Sequence, residues 1–118
     1  MNTVDLIARL RDVPESIEFS DVMDVIAANY DYKPTRFTNG IGRGAVVNEA
    51  GTNEGSCKIF AFAQLKELSE VETLACFGDY YRHEVLGNPE GSDHANIRSF
   101  MQHGWQGIQI EGEPLIEK

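Results

Sequence analysis

Cysteine is scarce in this chain. There are two among 118 residues, and they do not stand in a CxxC pair. A domain of this length can bury enough apolar surface to need no disulfide staple. Cys57 and Cys76 fall on separate predicted helices and are expected as reduced, largely buried thiols. No apolar run approaches the ~20 residues of a membrane span. The start, Met1-Asn2-Thr3-Val4-Asp5, lacks the basic and apolar stretches of a secretory signal peptide. Basic residues are also few, 10 against 19 acids, which leaves a formal net charge of -9. Such a balance repels phosphates, so neither a nucleic acid nor an anionic membrane is an expected partner. Repeats, low-complexity tracts and linker-like stretches are absent as well, which points to a single domain over 1–118.

What is present is ordinary globular composition, 42% hydrophobic and 25% charged. Thr3 is placed to cap a first helix carrying Val4, Leu6, Ile7 and Leu10, which Pro14 follows. Ser20 precedes a second helix with Val22, Val25, Ile26 and Tyr30 on its apolar stripe. Residues 35–38 read as a short strand closing in the turn dipeptide Asn39-Gly40, and Ala45-Val46-Val47 as another. A small, polar segment, 48–58, then opens a helix at about Ser56 that runs through Ile59, Phe60, Phe62, Ala63 and Leu65. Ser69 and Glu72 form a capping box for the next helix, whose stripe is Leu74, Phe77, Gly78, Tyr81 and Val85. Asp93 is placed to cap a final helix with Ile97, Phe100 and Met101 inward, ended by Gly104. Ile108, Ile110 and Leu115 suggest a terminal strand or two. The expected architecture is α+β: about five helices packed on a small sheet of short strands in one compact domain.

Several polar segments invite chemistry. The 48–58 segment is like a phosphate loop in opening a helix, but it reads Gly51-x-x-x-Gly55-Ser56-Cys57-Lys58 rather than GxxxxGK[ST]. Glu49 and Glu54 would repel phosphate, and an ordered turn with Ser56 as a cap explains the residues as well. Gly40-Ile-Gly-Arg-Gly44 precedes a strand, not a helix, so it lacks the setting of a dinucleotide fingerprint. Cys57 in a first helical turn, with His94 opening another helix, forms a conceivable nucleophile–base pair. The plainer reading is a buried inert thiol and a capping-region imidazole. His94 and His103 lie about 900° apart on a helix, and Asp79 with His83 is an ordinary i, i+4 surface pair. No metal site and no cofactor are expected. His94 and Arg98, also i, i+4, could jointly hold a carboxylate or another anion, unless Arg98 pairs with one of the chain's own acids. Trp105 reads as a core or rim anchor. Only one of Tyr80 and Tyr81 is expected inside.

Long strings in this chain are more specific than any of these motifs. They are Phe37-Thr-Asn-Gly40, Asn48-Glu-Ala-Gly, Asn53-Glu-Gly-Ser-Cys-Lys-Ile-Phe-Ala-Phe-Ala-Gln-Leu65, Thr73-Leu-Ala-Cys-Phe-Gly-Asp-Tyr-Tyr-Arg82, Asp93-His-Ala-Asn-Ile-Arg98 and Phe100-Met-Gln-His-Gly-Trp-Gln-Gly-Ile108. Through them the chain resembles the HopJ family, named as type III effectors, from about Phe19 to Leu115. The resemblance implies export from the bacterial cytoplasm into a host cell through a type III apparatus. It carries over no catalytic residue. The matching polar positions form a candidate pocket: Asn39, Asn48, Glu49, Asn53, Glu54, Ser56, Cys57, Lys58, Tyr81, Arg82, His94, Asn96, Arg98 and Trp105. Its expected partner is a host protein or a small anion. The alternative is a cytosolic protein binding a small anion or carboxylate, or an enzyme, with a pocket built from residues 48–58 and 94–98. The charge distribution favours the anion. Residues 1–31 hold seven acids and two arginines, whereas residues 33–58 hold four bases and two acids.

Overall fold

Asn2 starts the first helix by a reciprocal pair of hydrogen bonds. Its Oδ1 accepts from the Asp5 amide at 2.8 Å, and the Asp5 carboxylate accepts from the Asn2 amide. In this computed structural model, which describes residues 1–118, α1 therefore spans Thr3–Asp12, with the cap one residue earlier than expected. The second helix, α2, spans Phe19–Asn29, and Asp21 accepts from the Glu18 amide. Ser20, expected to precede this helix, instead lies in its first turn, and the cap falls at Glu18.

A first strand, β1 (Tyr30–Tyr32), leaves α2 directly and pairs antiparallel with β5 (Leu115–Glu117) at the far end of the chain. A separate three-stranded antiparallel sheet has β2 (Phe37–Asn39) between β3 (Val46–Asn48) and β4 (Ile108–Ile110). Strand alternation turns Phe37 and Asn39 inward while Thr38 faces outward. Asn39-Gly40 does not make the tight turn its dipeptide suggested. Residues 40–45, with a 3-10 turn at Gly42–Gly44, join β2 to β3, and the Asn39 side chain enters the core.

The third helix, α3 (Glu54–Leu65), runs through the middle and buries Cys57, Ile59, Phe60, Ala61, Phe62 and Ala63. Around the Phe60 ring stand Phe100 at 5.1 Å, Phe77 at 5.7 Å, Phe37 at 6.0 Å and Trp105 at 6.3 Å, centroid to centroid. Such rings contribute roughly 1.5–3 kcal/mol each on burial. Trp105 also donates from Nε1 to the Leu68 carbonyl and packs, partly buried, against the core.

The fourth helix, α4 (Glu70–Ala75), starts with the Ser69–Glu72 capping box. The single long helix drawn from its stripe does not form. Gly78 sits at φ +59°, outside helical geometry, and packs against the start of α2, where a Cβ would meet the Phe19 amide nitrogen at 2.7 Å. The chain resumes as a π-helical segment, Tyr80–Val85. The last helix, α5 (Ala95–His103), ends at Gly104 as expected. Its N-cap is His94, not Asp93. Arg98 draws the Asp93 carboxylate away from the helix amides, at 2.8 Å. The fold is α+β, and none of its helices is long and apolar enough to cross a membrane.

Candidate functional site

Two helix starts from distant parts of the sequence open on one cleft. Asn53 precedes α3 at φ 49° and His94 precedes α5 at φ 52°, both left-handed, and neither side chain caps its helix. The first amides of a helix have no intrahelical acceptor. At α3 these are Glu54, Gly55 and Ser56, and at α5 they are Ala95, Asn96 and Ile97. None has an acceptor elsewhere in the chain. The cleft between them measures about 440 Å³ and is lined by Asn53, Gly55, Ser56, His94, Ala95, Asn96 and Ile97. Phe19, Phe77 and Tyr80 add an aromatic wall. Phe19 meets Tyr80 edge-on at 5.2 Å, and the Tyr80 ring lies 5.4 Å from that of His94. Gly55 lets the backbone approach Phe19, since a Cβ would come within 2.7 Å of its Cζ.

A buried amide network holds the two starts in place. Asn48 Nδ2 donates to Asn96 Oδ1 at 3.1 Å, and Asn96 Nδ2 donates back to Asn48 Oδ1 at 2.9 Å. Asn53 Nδ2 donates to the same Asn48 oxygen at 2.7 Å. Asn39 Nδ2 reaches the Asn96 carbonyl at 2.8 Å and its Oδ1 at 3.1 Å. Ser99 Oγ donates to the Asn39 carbonyl. One atom is left over: Asn39 Oδ1 is buried and has no partner.

The sequence-selected residues thus fall into distinct groups. Asn53, Ser56, His94 and Asn96 line the cleft, and Asn39 and Asn48 join the network behind it. Glu49 pairs with Arg36 at 3.1 Å, which also bonds Glu111. Lys58 lies over the Tyr32 ring at 4.7 Å. Burial, and then the neighbouring Glu54 carboxylate, drive the Tyr32 hydroxyl far above its usual range. Arg82 donates to the carbonyls of Ile17 at 2.6 Å and Pro14 at 3.2 Å, tying the α1–α2 connection to the π-helical segment. Tyr81 packs half-buried against the core, while Tyr80 is exposed along one edge.

The plainer alternatives weighed for Arg98 and Cys57 match the contacts seen. Arg98 spends its donors on Asp93 and on the Asp93 and Pro89 carbonyls. His94 instead bonds Glu84 at 2.9 Å. Cys57 is buried, and desolvation raises its thiol pKa, which outweighs the helix start. Cys76 is pushed up to about 12, by burial and then by the Glu72 charge. Both cysteines are free. Phe19, Gly55, Phe77, Tyr80, Ala95 and Ile97 complete the cleft but escaped selection. Apolar residues at core spacing carry no signal that separates a cleft wall from a core.

Comparison with known proteins adds two findings. The family model for HopJ type III effector protein matches residues 3–115. The crystal structure of the unknown-function protein VPA0580 is 49% identical, with a TM-score of 0.94, covering 100% of this chain and 95% of that one. No curated protein sequence matches.

Proposed function

Because this chain belongs to the HopJ type III effector protein family, we propose that it is exported from the bacterial cytoplasm through a type III apparatus and acts in a host cell by holding a small anion in the α3/α5 cleft. The observation that carries the binding reading is the convergence of two uncapped helix starts on one cleft. Their amides and dipoles present partial positive charge to a carboxylate or phosphate. The attraction comes from backbone, because Arg36, Lys58 and Arg98 are already engaged by Glu49 and Glu111, Tyr32 and Asp93. The aromatic wall suits an anion carried on an apolar body. A free metabolite and a group displayed on a host protein offer the same chemistry. Binding is favoured over covalent catalysis, since the Cys57 thiol is buried and raised.

Each half has its own test. Fusion of the N-terminal segment to a translocation reporter should give transfer into host cells from a strain with a working apparatus, and no transfer would overturn export. For the cleft, small aryl carboxylates and phosphates should raise the melting temperature of the wild-type protein. Ser56→Glu places a carboxylate in the first turn of α3, where the helix tolerates it, and should abolish that rise. An equal rise in the variant would overturn the cleft reading.

A further inference from the structure

Beside the cleft lies a cluster that its anion reading does not use. We propose that Glu84, Asp93 and His94 form a divalent transition-metal site on the cleft rim, of which Zn²⁺ is the best-suited occupant. One ligand atom from each of the three residues lies within 4.8 Å of the other two. His94 Nε2 is 2.9 Å from Glu84 Oε1 and 3.9 Å from Asp93 Oδ2. A tetrahedral ion with bonds of about 2.0–2.2 Å sets its ligand atoms about 3.4 Å apart. The two separations from His94 bracket that value, and the Glu84–Asp93 separation lies within 4.8 Å. Of the two His94 pairs, one must open and the other close, each by roughly half an ångström.

The surroundings hold the three groups in readiness. The His94 ring rests near that of Tyr80. Arg98 Nη2 takes Asp93 Oδ1 at 2.8 Å and Arg98 Nε takes the Asp93 carbonyl at 2.6 Å, so Oδ2 is the oxygen left toward His94. Orientation of a ligand by an outer hydrogen bond is how metal sites are usually built. Glu84 stands on an exposed turn of the π-helical segment and can shift to make room. An imidazole with two carboxylates suits Zn²⁺ better than Ca²⁺ or Mg²⁺, which prefer oxygen alone. Three protein ligands leave a fourth position for water, and one of them, His94, also lines the cleft. Spacing concealed the site, because Glu84 lies in a different segment from the adjacent Asp93 and His94.

The test needs Zn²⁺ alone and no anion, so it stands apart from the cleft reading. Calorimetric titration of the metal-free wild-type protein should show one ion per chain. His94→Asn, a residue that tolerates the left-handed conformation, and Glu84→Gln should each weaken binding by about tenfold or more. His83→Gln, which removes only the exposed Asp79–His83 pair, should leave it unchanged. Absence of saturable binding to wild type, undiminished binding by Glu84→Gln, or loss in His83→Gln would each overturn the site. Should His94→Asn fail to fold, the exposed Glu84 variant decides alone.

Discussion

Asn48 and Asn96 exchange two side-chain amide hydrogen bonds, at 3.1 and 2.9 Å, across 48 residues of sequence. The pair ties the end of β3 to the first turn of α5, and Asn53 joins it from the start of α3. The α5 start is thus aimed at the cleft by buried groups that would be costly to leave unpaired, and the exposed Asn53 ties the α3 start to them.

Replacing Asn96 by Ala removes three side-chain hydrogen bonds, from Asn39 Nδ2, from Asn48 Nδ2 and to Asn48 Oδ1, although each of these atoms keeps another partner, the Asn96 carbonyl, the Phe37 and Val46 carbonyls, and Asn53 Nδ2 respectively. Each buried hydrogen bond lost costs roughly 0.5–1.5 kcal/mol. Urea denaturation should show a loss of at least that size. A loss under about 0.5 kcal/mol, the level of an ordinary surface change, would mean the network does not hold the fold.

Gly78→Ala should destabilise more than Gly42→Ala. Both positions have positive φ, at +59° and +73°, so both incur the strain of a side chain in that region, about 1–2 kcal/mol. Only at Gly78 does the new Cβ also strike the backbone, 2.7 Å from the Phe19 nitrogen, whereas nothing lies within 4 Å at Gly42. Parallel thermal melts would compare them, and equal losses would show that α2 yields freely.

Acid should weaken the protein partly through Glu72. Hydrogen bonding from the Ser69 amide, and then Arg11, hold its carboxyl below the usual value of 4.5. A depressed folded pKa means stability that is complete above the unfolded value and lost as pH falls through the folded one. Glu72→Gln should therefore flatten the stability–pH profile below about pH 4.5. An unchanged acid limb would show that other carboxylates govern it.

Thiol reagents should label neither Cys57 nor Cys76 in the native protein and both in denaturant, since both are free and fully buried. Fast native labelling of Cys57 would restore the nucleophile that burial removes.

Local chemistry was legible in the sequence wherever it acts over a few residues. The Ser69–Glu72 box, the stop at Gly104 and the two buried thiols follow from neighbours in the chain. Long-range competition was not legible. Asp93 looks like a cap until Arg98 takes its carboxylate. The stripe from Leu74 to Val85 reads as one helix, because apolar spacing does not register the close approach of Gly78 to Phe19. Strands of three residues carry almost no period, so the pairing of Tyr30–Tyr32 with Leu115–Glu117 was invisible. Asn39, Asn48 and Asn96 have the composition of loops, yet they form a buried network. Selection by polar residue type found Asn53, Ser56, His94 and Asn96 in the cleft. It also gathered Glu49, Lys58 and Arg82, whose partners lie elsewhere.

The most direct test of the central claim is a two-dimensional ¹H–¹⁵N NMR titration with phenyl phosphate and benzoate. The account predicts that the amides of residues 54–56 and 95–97 shift together, on one saturation curve, for at least one of the two probes. Shifts at only one helix start, shifts confined to other surfaces, or none with either probe would contradict it.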